Sequence, residues 1–148
     1  DGILFESAGG LTTSGTGTIT LTGVATGGYN GIRINNTNFT AGSGDITITG
    51  NSNSLSSYDG VRLHGTSAVS TSGNVSISGT GGTSHYGVWV LDTASISAAG
   101  NITINNLVGT QTLSVQSVSA VSSQVAANGA NYISSITLAS GSIVAYNV

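Results

Sequence analysis

The side chains able to carry charge are few. Five carboxylates (Asp1, Glu6, Asp45, Asp59, Asp92), two arginines (Arg33, Arg62) and two histidines (His64, His85) stand among 148 residues. Glycoside hydrolysis needs two carboxyl groups facing each other across the bond, about 5 to 9.5 Å apart. Glu6, Asp45, Asp59 and Asp92 stand at unrelated positions of the chain's repeat, so no such pair is expected. His64 and His85 also occupy different positions, with no matched nucleophile or orienting carboxylate beside them. Cysteine is absent, which removes thiol chemistry and disulfides. The segment Gly42-Ser-Gly-Asp45-Ile has half of a Ca²⁺-binding nonapeptide pattern, but it occurs once and reads better as a turn. Neither a catalytic centre, a cofactor site nor a metal site is therefore expected. What stands out is a set of rings and planar polar groups: Tyr29, Arg33, Tyr58, Asp59, Arg62, His64, Tyr86 and Trp89. Apolar ring faces beside Asp, Asn and Arg are what a sugar-binding strip requires. An Arg next to Trp can add a cation–π contact.

Those residues recur because the chain recurs. One segment reads Gly2-Ile-Leu-Phe, Gly31-Ile-Arg-Ile, Gly60-Val-Arg-Leu and Gly87-Val-Trp-Val, the glycines spaced by 29, 29 and 27 residues. A second reads Ile19-Thr-Leu-Thr, Ile46-Thr-Ile-Thr, Val75-Ser-Ile-Ser and Ile102-Thr-Ile-Asn. Between them lies a weaker apolar anchor: Leu11, Phe39, Val69 and Ile96. Each segment alternates apolar and polar residues, the period of a half-buried strand. Three short strands per repeat, in constant order, predict an all-β, right-handed parallel β-helix (solenoid) with coils of about 27–29 residues. Equivalent strands of such a coil stack about 4.8 Å apart. Gly17-Thr18, Gly44-Asp45, Gly73-Asn74 and Gly100-Asn101 mark one corner, being residue types that tolerate positive φ or bond their own backbone. The stretches Val24 to Asn30 and Asn51 to Asp59 are expected as variable loops.

Residues 1–106 thus form four coils. Residues 107–148 are read as an irregular β end section of the same domain, since the spacing changes while Leu113-Ser-Val-Gln, Ile136-Thr-Leu-Ala and Ile143-Val-Ala-Tyr still look like strands. Stacking the coils places Leu4, Arg33, Arg62 and Trp89 in one outward column and Glu6, Asn35, His64 and Leu91 in the next. The two stacked arginines repel, and Asp59 is expected to offset them. A Thr/Ser ladder (Thr18, Thr20, Thr22; Thr47, Thr49; Ser76, Ser78; Thr103, Asn105) forms another outward face. It resembles the arrays of ice-binding proteins, though Thr also suits any exposed strand. The ends of the stack would bare Ile3 and Phe5 on one side and Ile143 and Tyr146 on the other. Head-to-tail docking of such ends builds open filaments.

Charged residues make up 5% of the chain, against roughly 25% in typical proteins. Two arginines cannot track a phosphate backbone, so nucleic acid is not an expected partner. No apolar run is long enough for a membrane-spanning helix. The asparagine sequons at Asn35, Asn38, Asn74 and Asn101 follow from composition. Carried by "GDITITG", "GNVSISG", "GNITI", "DGVRL" and "YGVWV", residues 2 to 106 resemble the β-helical repeats of filamentous haemagglutinin-like and autotransporter-like bacterial surface proteins. The resemblance implies a secreted, cell-surface rod used as an adhesin, a filament or a biofilm-matrix scaffold. It supplies no catalytic residues. Expected partners are copies of itself end to end or further repeats of a longer chain, and a glycan; a carbohydrate-binding or ice-binding module is the alternative.

Overall fold

A computed structural model describes residues 1–7, 9–53, 57–82 and 85–105 in full. Beyond them it describes the strand backbone at 106–108, 113–115, 118–120, 125–128, 131–133, 136–138 and 143–146. Every regular element among these residues is a strand. The first sheet holds β1 (Ile3–Glu6), β4 (Ile32–Asn35), β7 (Val61–His64), β10 (Val88–Val90), β13 (Leu113–Val115) and β16 (Asn131–Ile133). The second holds β2 (Leu11–Thr12), β5 (Asn38–Ala41), β8 (Ala68–Thr71), β11 (Ser95–Ala98), β14 (Val118–Ala120) and β17 (Ile136–Leu138). The third holds β3 (Ile19–Ala25), β6 (Ile46–Ser52), β9 (Val75–Thr80), β12 (Ile102–Val108), β15 (Val125–Asn128) and β18 (Ile143–Tyr146). All pairings are parallel, and each strand pairs with its counterpart one coil away. The chain is a β-solenoid with three strands per coil, as the repeat predicts.

Period-two alternation decides what goes inside. In β4 and β6 every second side chain is buried, so one coil contributes Ile32, Ile34, Phe39, Ala41, Ile46 and Ile48 to the core. Their counterparts one coil on are Val61, Leu63, Val69, Thr71, Val75 and Ile77, so every column stays apolar except that of Ala41, where Thr71 follows. Phe39 is fully buried and meets the Phe5 ring edge-on at 5.0 Å. Burying one such side chain stabilises the fold by about 1.5–3 kcal/mol.

Two features differ from expectation. The third-sheet strands run on into the stretches expected as loops: β3 reaches Ala25 and β6 reaches Ser52, with Val24 paired to Asn51 and Ala25 to Ser52. Glycine makes this continuation possible. Gly23 and Gly50 sit where the end of the third sheet crosses the start of the first, and a Cβ on Gly50 would collide with the Gly60 carbonyl and lie 2.7 Å from Val61 Cγ2. Secondly, the strands after residue 106 add to the same three sheets on a shorter step. Leu113 pairs with Asn131, Val118 with Ile136 and Val125 with Ile143, 18 residues apart each time (113 to 131, 118 to 136, 125 to 143). The strands themselves are shorter there, the third-sheet strand falling from seven residues in β12 to four in β15 and β18, while the order of the three strands is kept.

A further corner follows the first strand of each of the first four coils. Ser7, Asn36, Gly65 and Asp92 occupy it, and all four have positive φ (50°, 48°, 68° and 59°). Asn and Asp reach this region at low cost because their side chains bond nearby backbone. Asp92 Oδ2 accepts the Gly65 N–H at 3.0 Å, and Asn36 Oδ1 accepts the Thr66 N–H at 3.0 Å.

Candidate functional site

The first sheet carries the chemistry-bearing column in register. Leu4, Arg33, Arg62 and Trp89 are successive Cα partners, and Glu6, Asn35 and His64 form the next outward column. These side chains alternate with the buried Ile32, Ile34, Val61, Leu63, Val88 and Val90, which hold the column outward. Parallel pairing brings neighbours in a column to about 4.8 Å at the backbone, so each outward side chain lies against the next.

The two arginines are treated differently. Arg33 Nη2 donates to Glu6 Oε2 at 3.2 Å, and its Nε lies 3.3 Å from Asp1 Oδ2. Arg62 instead lays its guanidinium over the Trp89 ring, with Cζ 4.5 Å from the ring centroid. Trp89 also packs against Tyr86 at 4.8 Å and 32°, and His85 meets it edge-on at 6.2 Å. Tyr29, which is 55% exposed, pairs with Tyr58 at 5.7 Å. The rings therefore fall into two groups, Tyr29 with Tyr58, and Trp89 with Tyr86 and His85.

Asp59 acts on Arg62 through its charge, without an ion pair or hydrogen bond to it. It is 1% exposed and turned along the stack. Its Oδ1 receives His85 Nδ1 at 2.9 Å and the Tyr86 N–H at 3.2 Å, while its buried Oδ2 has no partner among the described residues. The reason is a ladder of backbone caps: Asp1 Oδ1 accepts the Asn30 N–H at 3.1 Å and Asn30 Oδ1 accepts the Asp59 N–H at 3.0 Å. Asp59 repeats that role toward Tyr86. Burial raises its carboxyl above the usual carboxylate range; the His85 hydrogen bond and charge, the Tyr86 N–H and the Arg62 charge oppose this only in part. His64 is shifted the other way: burial lowers its pKa, and the adjacent Arg62 and Arg33 charges lower it further, against weaker opposite pulls from Asp92 and Glu6.

Three residues outside the expected set belong here. Glu6 and Asp1 neutralise Arg33, and His85 links Asp59 to Trp89. His85 was visible in the repeat, since it occupies the place two before the glycine that Tyr29 and Tyr58 fill. At the stack ends, Ile3 and Phe5 are half-buried against the core and Leu11 is exposed. Ile143 and Tyr146 lie in β18, at the opposite edge of the third sheet, and their side chains lie outside the described residues.

The Thr/Ser ladder is also in register: Thr20 pairs with Thr47 and Thr22 with Thr49, followed by Ser76 and Ser78. A shallow groove of about 340 Å³ on the second sheet is lined by the hydroxyl residues Thr40, Ser70, Thr71, Ser72 and Ser97 with Ala41 and Ala99, and by no charged group. Asp45 caps backbone rather than forming a cluster: its Oδ1 accepts the Asn74 N–H at 2.8 Å, and Asn74 Oδ1 accepts the Asn101 N–H at 2.8 Å. Among the described residues no group of three or more His, Asp and Glu side chains is placed to hold a metal ion, and no helix is long and apolar enough to cross a membrane. No protein-family model, curated protein or solved structure matches the chain.

Proposed function

We propose that the chain is an extracellular structural and adhesive β-solenoid, of the filamentous haemagglutinin-like or autotransporter-like kind, at a bacterial cell surface. Its first-sheet face makes the contacts. One observation carries this reading: Arg33, Arg62 and Trp89 stand in one outward column, with the Tyr29–Tyr58 and Tyr86–Trp89 ring pairs at its margin. A stack of this kind holds its surface rigid, so a ligand meets rings and guanidinium already in place and little ordering cost is added on binding. Rings with half-exposed faces suit the apolar face of a sugar, and Asn35 and the arginine beside them suit its hydroxyls.

Retention on a panel of immobilised polysaccharides tests the reading. Trp89→Ala should abolish retention while the circular dichroism of the strands is kept; unchanged retention would sink it. A second role, filament formation, draws on the half-buried Ile3 and Phe5 beside the edge strands β1 to β3. Fibres seen by electron microscopy should disappear with Ile3→Asp and Phe5→Asp. The registered Thr20/Thr47 and Thr22/Thr49 pairs favour ice binding as the third reading, and thermal hysteresis lost on Thr47→Tyr would establish it.

A further inference from the structure

Coil-to-coil register lets the surroundings of the two arginines be compared position by position. Arg33 is held by Glu6 and Asp1, both from the preceding coil. The same positions relative to Arg62 are one coil on, and they are Asn35, the Cα partner of Glu6, and Asn30, which takes the place of Asp1 in the capping ladder. Both are amides. The direct carboxylate pairing that the fold gives Arg33 is therefore missing for Arg62. Asp59, whose charge reaches Arg62, is buried and spends its Oδ1 on His85 and the Tyr86 N–H. Among the described residues no carboxylate forms an ion pair or hydrogen bond with Arg62. His64, the outward residue two places along the same strand, has its charged form disfavoured by burial and by both arginines.

The stacked geometry determines what this charge can do. A guanidinium carries its N–H groups in its own plane, in a fork that matches a carboxylate. The Trp89 contact also fixes the group before a ligand arrives. Tyr86 and His85, packed against the same indole, border the site with half-exposed rings. An anion bound at Arg62 is thus flanked by aromatic surface.

We propose that Arg62, seated on Trp89, is the anchor for the carboxylate of an acidic polysaccharide, a polyuronate, whose sugar ring packs beside Tyr86 and Trp89. This rests on the reading of the first-sheet face as a carbohydrate-contacting surface. It adds the class of sugar and the residue that selects it.

The experiment measures binding of the purified 148-residue chain to polygalacturonate, to its fully methyl-esterified form and to poly-glutamate, at low and moderate salt. Polygalacturonate should bind at least about tenfold more tightly than the ester, the scale of one charge-assisted hydrogen bond, and should weaken as salt rises. Arg62→Gln should remove the preference for the acid. Asn35→Glu, which returns to Arg62 the carboxylate that Glu6 gives Arg33, should remove it as well while leaving every ring in place; Thr103→Ser, on another sheet, should leave it intact. Equal binding of acid and ester overturns the acidic specificity but leaves the carbohydrate face standing. No binding of either overturns both. Poly-glutamate bound as tightly as polygalacturonate replaces the sugar by an acidic protein, and an unaltered preference in Asn35→Glu removes Arg62 from the anchor role.

Discussion

Asp59 combines a structural role with an energetic penalty. Its Oδ1 caps the Tyr86 N–H, a role an amide fills equally well at Asn30, yet the charge it adds is buried with one oxygen unpartnered. Its pKa in the folded chain is raised above the ordinary value of 3.8. Between those two values the folded state holds a proton the unfolded chain has lost, so the stability Asp59 contributes is full below about pH 3.8, falls as pH rises through the folded pKa and then levels off. Asp59→Asn should therefore raise the thermal unfolding midpoint at pH 7 to 8, with the gain vanishing toward pH 3. A midpoint lowered at pH 7 would show that the contacts of the Asp59 carboxylate outweigh the cost of its burial. His64 bends the curve the other way. Its folded pKa is depressed below 6.5, so its contribution is present above that pH and is lost as pH falls through the folded value. His64→Gln should flatten the acid limb of a stability–pH curve measured by denaturant titration.

At the scale of the element, the strands owe their positions to two kinds of residue, large ones inside and glycines at the crossing. Ile48→Ala removes atoms from a fully buried column and should cost about 2–5 kcal/mol. Gly50→Ala adds one carbon where the Gly60 carbonyl already stands and should cost about 1–3 kcal/mol through displacement of β7. Both are read from denaturant midpoints, and a neutral Gly50→Ala would mean that the crossing relaxes. The strands were legible in the sequence because alternation and repetition agree: Ile46-Thr-Ile-Thr would read as a strand alone, and its recurrence one coil on fixes the register. The αL corner at Ser7, Asn36, Gly65 and Asp92 was harder to see, as four different residue types share one backbone need. The strands β14 to β16 carry a weak sequence signal, since the step falls to 18 residues and alanines fill two of the four places of Val125–Asn128. The column of Arg33, Arg62 and Trp89 followed directly from register. The turn of Asp59 along the stack did not, because spacing specifies a position in the coil and not the direction a corner side chain takes.

Across the whole molecule, the nearly charge-free surface leaves stability to stacking. With a net charge of −3 there is little long-range repulsion and little attraction beyond Arg33 and its two carboxylates. Each coil touches chiefly the coils on either side, and its backbone bonds run to them: Ile32 N–H to Gly60, Val61 N–H to Gly87, Ser95 N–H to Ser67. Stability in such an array is close to a sum of nearest-neighbour terms, so a coil with a neighbour on one side only is held less firmly. In the 148-residue chain the first coil has that position. Its β2 spans two residues, both exposed, and Ile3, Phe5 and Leu21 are half-buried where the counterparts of each are fully buried. Hydrogen exchange should accordingly be fastest in β1 and β2 and slowest in β4 to β9. Uniform protection from β1 to β9 would mean that the coils open as one cooperative unit. In that case Ile48→Ala would accelerate exchange throughout the stack, whereas nearest-neighbour coupling confines the effect to β3 to β9.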